Sequence, residues 1–193
     1  MGIIAQDTSV SAAALAVVTG KQTIPLPAPG WTPTTTNGCA SIASAETTAD
    51  THPDIIGLAF DPTADEACQI TIPFNKAWDE GTLTFRVFWT TTGADTDGVA
   101  WALHGVACSD GDAITSGAYG TPVVVTDNIQ SVANDQLVTA ESAAVTIAGT
   151  PAEGDLCYFR FFRDVSDAAD TAAEDCIMQA VHLYYTTDAG NDA

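Results

Sequence analysis

Thr82-Leu83-Thr84-Phe85-Arg86-Val87-Phe88-Trp89-Thr90 decides the fold. Leu83, Phe85, Val87 and Trp89 recur at every second position, and Thr82, Thr84, Arg86 and Thr90 fall between them. Side chains alternate across a strand, so this pattern turns one set toward a core and the other away from it. Asp79-Glu80-Gly81 precedes the run as a turn signal.

The same period recurs on both sides of this strand. Downstream, Val99, Trp101, Leu103 and Gly105 form a second alternating face, and Val123 to Val125 is a short β-branched run. Val145 and Ile147 point one way across Thr146. Cys157, Phe159 and Phe161 oppose Tyr158, Arg160 and Phe162. Ile177, Val181, Leu183 and Tyr185 alternate with Met178, Ala180, His182 and Tyr184. Upstream, Ile55 to Phe60 and Ala67 to Ile72 add two more runs. Gly, Asp, Asn and Pro clusters separate about eight short strands, which predicts an all-β, jelly-roll-like β-sandwich. The one competing stretch, Ala168 to Ala173, is expected to form at most a helical turn.

The first 50 residues read differently. Ser9 to Val18 is Ala-rich and fits either a short helix or an edge strand. Ile24-Pro25-Leu26-Pro27-Ala28-Pro29-Gly30-Trp31-Thr32-Pro33 excludes a helix and a central strand, because proline fixes φ and has no N–H to donate. It predicts an extended arm, and Thr34 to Asp54 predicts a polar loop. The expected organisation is therefore an arm and loop over 1–50 and a sandwich over 51–193. An arm with unpaired backbone groups can add to a neighbour's sheet edge. Ile24, Leu26 and Trp31 are accordingly interface candidates.

Composition narrows the function. The 193 residues carry 25 acids against five Lys and Arg, for a net charge of −20. Such a field repels phosphate backbones, so nucleic acid is not an expected partner. The excess reads as a solvated surface that keeps a crowded assembly soluble. No stretch approaches the ~18 apolar residues of a membrane helix, and no basic segment precedes Ala12 to Val18, so neither a membrane partner nor a signal peptide is expected. The scarce arginines Arg86, Arg160 and Arg163 are further interface candidates, since a guanidinium pairs with carboxylates while its stem packs.

Signals for chemistry are weak. The chain lacks G-x-S-x-G, H-E-x-x-H and a P-loop. His104 and Cys108 share a strand face but stand roughly 13 Å apart along it. The five cysteines show no C-x-x-C or zinc spacing and are expected to be buried thiols; a Cys39–Cys68 bridge is left open. Asp95-Thr96-Asp97-Gly98 and the acids from Asp164 to Asp175 fit turn chemistry better than a calcium loop. The four tryptophans favour packing, although exposed aromatics would suit sugar rings. No cofactor, no metal and no enzymatic activity are expected.

Several segments resemble a family of small virion structural proteins of tailed phages and prophages. They are Thr34-Thr35-Thr36-Asn37-Gly38-Cys39-Ala40, Leu58-Ala59-Phe60-Asp61, Ile72-Pro73-Phe74-Asn75-Lys76-Ala77-Trp78-Asp79-Glu80-Gly81-Thr82, Val99-Ala100-Trp101-Ala102-Leu103, Val138 to Gly149, and Tyr185-Thr186-Thr187-Asp188. The likeness spans most of the chain from Thr34 onward. The cysteines and Cys176-Ile177-Met178-Gln179 depart from the family's pattern. The resemblance implies a β-sandwich subunit on the head surface, assembled in the host cytoplasm. The expected role is a capsid decoration or cement protein, a homotrimer whose partner is the major capsid protein. The alternative is a head-fibre or tail-fibre component that binds host surface glycans, and a polysaccharide hydrolase is a third possibility.

Overall fold

The computed structural model describes residues 20–187. Their strands are β1 (Gly20–Pro27), β2 (Thr32–Pro33), β3 (Ala43–Ala45), β4 (Ile55–Phe60), β5 (Ala67–Pro73), β6 (Thr84–Thr91), β7 (Gly98–Cys108), β8 (Val123–Asn128), β9 (Leu137–Val138), β10 (Ile147–Ala148), β11 (Leu156–Arg163) and β12 (Cys176–Thr187). Two 3-10 turns, Ala28–Gly30 and Ile114–Ser116, are the helical elements among the described residues. Ala168 to Ala173 is turn and irregular chain rather than helix.

The first sheet runs β3-β4-β12-β6-β9, with β1 also on β12; the second runs β10-β7-β11-β5-β2, with β8 also on β7. The two sheets face each other as a jelly-roll-like β-sandwich. Their contacts are antiparallel apart from the β10–β7 pair and the Gly38–Ala67 bridge. Each sheet is organised on its long strand. β12 carries β6 along one side. Along the other it carries β4 on Cys176–Met178 and β1 on Ala180–Pro27 through Thr187–Gly20.

The alternating residues fill the space between the sheets. Leu83, Phe85, Val87 and Trp89 of the first sheet meet Trp101, Leu103, Phe159 and Phe161 of the second, and all eight are fully buried. Trp101 stacks on Phe161 with centroids 5.2 Å apart, and Phe60 meets both rings edge-on. Each such side chain contributes about 1.5–3 kcal/mol by leaving water.

The proline-rich segment belongs to this sandwich. Gly20–Pro27 pairs with β12 over its whole length. An edge position tolerates Pro25 and Pro27, because one side of the strand needs no donors. Leu26 is 5% exposed and Trp31 is 3% exposed; Trp31 donates its Nε1–H to the Leu26 carbonyl and packs on Phe161. The boundary at residue 50 therefore moves: the sandwich already includes Gly20, and the polar loop contributes β3. Ser9 to Thr19 lies outside the described residues.

The C-terminal strand also differs from its expected phase. Cys176 and Met178 point inward and are fully buried, as are Val181 and Leu183, whereas Ile177 is only half-buried. The register against β6 slips between Met178 and Ala180. The extra residue, Gln179, is a β-bulge, which reverses the face of everything before it.

Candidate functional site

The outer faces of the two sheets carry half-buried aromatic rings together with cationic side chains. On the first sheet, the alternation that buries Phe85, Val87, Leu183 and Tyr185 turns Arg86, Phe88, His182 and Tyr184 outward. Arg86 is registered opposite His182. Phe88 packs on His182 at 4.6 Å, and His182 meets Tyr184 edge-on at 6.2 Å. From β1, the Lys21 ammonium lies 5.3 Å over the Tyr184 ring. Lys21 also pairs with Glu141, which accepts a hydrogen bond from Thr84 as well. The Lys21 and Thr84 bonds hold the Glu141 carboxyl below its ordinary range. Exposed Val138 of β9 extends the apolar part beside Phe88. Two of the chain's five cations therefore share one sheet face with two aromatic rings.

The outer face of the second sheet carries a smaller cluster. Arg160 lies over the Phe162 ring at 4.6 Å and is registered opposite His104. His104 stacks on Tyr119 at 4.6 Å with the planes 17° apart. Its Nδ1–H donates to the Gly120 carbonyl at 3.0 Å, because a carbonyl only accepts; in the neutral ring Nε2 then carries no proton. That Nε2 is buried and without a partner. Burial lowers the His104 pKa and raises that of Tyr119.

The six interface candidates do not converge. Arg86 is exposed on the first sheet and Arg160 half-buried on the second. Ile24 is half-buried, and Leu26 and Trp31 belong to the core, so these arm residues pack on their own chain. Arg163 is fully buried, and its guanidinium holds the Asp170 carboxylate through Nε and Nη2 at 2.8–3.2 Å. It also donates to the carbonyls of Phe60, Ala172 and Glu174. An arginine with this set of partners is an internal clamp and has no donor to offer a neighbouring subunit. Sequence spacing gave no notice of it, because a strand-end arginine reads as exposed until a loop folds over it.

The acidic loops spend their oxygens on their own backbone. Asp95 accepts from the Asp97 N–H, Asp167 from Ala169, Asp65 from Val165 and Asp170 from Ala100. Among the described residues no group of three His, Cys, Asp or Glu side chains is placed to hold a metal ion. All four tryptophans are buried, so the exposed tryptophan that a sugar platform would use is not present. The cysteines are free thiols, four of them buried. Burial pushes Cys157 and Cys176 up to about 12. No described helix is long and apolar enough to cross a membrane.

No protein-family model matches the chain, and no curated sequence matches it. Its fold is similar to part of the isomalto-dextranase of Arthrobacter globiformis T6, solved with panose. The TM-score is 0.51 at 14% identity, over 83% of this chain and 23% of that one. Weaker likenesses include the CBM22-1–GH10 modules of Clostridium thermocellum xylanase 10B, solved with xylohexaose (TM-score 0.47, 14% identity, 90% of this chain and 29% of that one). Another is the CBM36-1 domain of a multidomain xylanase from the hindgut metagenome of Trinervitermes trinervoides (0.43, 8%, 84% and 96%). The chain thus spans about a quarter of the length of the isomalto-dextranase. At such identity the likeness establishes a shared β-sandwich and nothing about ligands.

Proposed function

We propose that the protein is a non-catalytic structural subunit of a tailed-phage virion, a decoration or cement protein of the head. It binds the major capsid protein and its own copies, as a homotrimer. The observation that carries this reading is the outer face of the first sheet. In a chain of net charge −20, Lys21, Arg86, Phe88, His182 and Tyr184 gather on one face. Aromatic rings beside guanidinium groups make good anchors, because they bury area at little entropic cost and pair with carboxylates. The mechanism is added buried area across capsomer boundaries, which resists internal pressure. The resemblance of the segments between Thr34 and Asp188 supports the particle assignment. The test is rebinding of purified protein to heads that lack it, followed by cosedimentation and electron microscopy. R86E combined with Y184A, folded as judged by circular dichroism, loses attachment. Full attachment of that variant rejects the face.

A second reading, a fibre component that binds host glycans, draws on the half-buried His104–Tyr119 stack of the second sheet. A half-buried flat ring such as Tyr119 can offer a face to a sugar. A glycan array with wild type and Y119A separates it from the first: sugar binding lost in Y119A favours the fibre. A polysaccharide hydrolysis assay on the same glycans checks for turnover.

A further inference from the structure

Cys39 and Cys68 lie together at the rim where the chain passes between the sheets. Cys68 sits in β5 and is fully buried; Cys39 is 6% exposed, and both point into the main core. The Cys39 N–H donates to the Ala67 carbonyl at 3.1 Å, the peptide that joins Ala67 to Cys68. Gly38 bridges Ala67 in parallel fashion, and the Ala67 N–H returns to the Asn37 carbonyl at 2.8 Å. An added Cβ at Gly38 would come within 2.2 Å of the Thr34 carbonyl, so the turn that delivers Cys39 here depends on that glycine. The Gly38–Ala67 bridge therefore sets the chain beside Cys39 at about neighbouring-strand spacing from β5, ~5 Å, the scale of the ~4.4–6.8 Å window that a disulfide spans between Cα atoms. The Cys39 thiol is near enough to that of Cys68 to help raise its pKa. The remaining cysteines are elsewhere: Cys108 and Cys157 on β7 and β11, and Cys176 at the start of β12.

We propose that Cys39 and Cys68 are a paired redox site, a dithiol in reducing surroundings that closes to a disulfide in oxidising ones. Each thiol gives up a proton and one electron as the S–S bond forms. With glutathione disulfide as oxidant, the two electrons and two protons leave in two molecules of reduced glutathione. Burial, and then the neighbouring Cys39 thiol, push the Cys68 thiol well up. The Cys68 thiolate is scarce in the folded chain and Cys68 is fully buried, so the bond closes while the chain folds and is sheltered afterwards.

The consequence is structural. Next to Cys39, the Ala40 N–H donates to the Ala59 carbonyl of β4 in the first sheet, while Cys39 itself is held to the second. The disulfide ties this crossing to β5 and closes a loop that holds β3 and β4. It is a staple across one rim of the sandwich, and it stabilises chiefly by shortening the unfolded chain.

Trypsin makes the pair separately readable. Cleavage after Lys21 and Lys76 releases a peptide, Gln22 to Lys76, that contains Cys39 and Cys68 and no other cysteine. Reduced, denatured protein is refolded in a mixture of reduced and oxidised glutathione. It is then alkylated in denaturant without reductant, digested and weighed. The expected peptide is two hydrogens lighter than its reduced form and carries no alkyl group. The thermal midpoint of this material exceeds that of the reduced protein by about 5–10 °C, and C39S removes the difference. Recovery of the peptide doubly alkylated, as a mixed disulfide with glutathione, or joined to a peptide of Cys108, Cys157 or Cys176 overturns the proposal.

Discussion

Replacing Arg163 by methionine isolates the clamp that holds the 164–175 loop on the sandwich. Methionine keeps much of the stem's volume but removes every donor. Asp170, whose side chain is 2% exposed, then keeps the Ala100 N–H and loses its counter-ion. The carbonyls of Phe60, Ala172 and Glu174 lose a donor each. Breaking one partner out of a buried pair costs about 3–5 kcal/mol. A domain of this kind has only about 5–15 kcal/mol in total, so R163M gives up about a fifth or more of it. At about 2–4 °C per kcal/mol for this chain length, the midpoint falls by about 6–20 °C. Urea titration at 25 °C with intrinsic tryptophan fluorescence reads the loss directly. The double variant R163M/D170L removes the stranded charge and recovers part of it; the orphaned carbonyls keep it below wild type. A loss under ~1 kcal/mol for R163M, against the range expected for a buried pair, or a double variant less stable than R163M, refutes the clamp.

Other tests address separate parts of the fold. His104 has a folded pKa below its ordinary 6.5, so the unfolded chain takes the proton first as pH falls. Stability is complete above that value and declines below it; thermal midpoints between pH 7 and 5 follow this slope in wild type, and H104Q flattens it. The lowered acids Asp61 and Glu141 act only in the carboxylate range, below this window. Deleting Gln179 removes the bulge and turns either Cys176 and Met178 or the following core residues outward. The variant is expected to lose the cooperative unfolding transition by circular dichroism, and a native-like transition would deny the bulge its role. Removing 1–31 strips away β1, Leu26 and Trp31 and unfolds the sandwich, so an attachment assay on that truncation reports on folding. Ending the deletion at Thr19 spares those elements; a folded 1–31 truncation by circular dichroism contradicts the place of β1 in the core.

Much of the sandwich was legible because its strands follow simple alternation. β6, with Leu83, Phe85, Val87 and Trp89 inward, needs no knowledge of its partners. β4, β5, β7, β8 and β11 likewise announce themselves by β-branched and aromatic runs between turn residues. β1 did not, since its prolines exclude a central strand without telling an edge strand from a free arm; only the presence of β12 beside it distinguishes them. The candidate site was legible in part. Arg86 lies on the polar side of a clear alternation, but Lys21 reaches Tyr184 and Glu141 through a pairing between strands far apart in sequence.

From sequence alone came the all-β class, the inward set of most strands, and the small supply of cations, because side-chain period and composition are local properties of the chain. Tertiary structure alone decided that Arg163 is a buried clamp, that Gln179 reverses a strand's face, that Leu26 and Trp31 belong to the core, and that Cys39 meets Cys68. Each depends on which distant segment lies alongside, and the number of possible partners is too large for local pattern to choose among them.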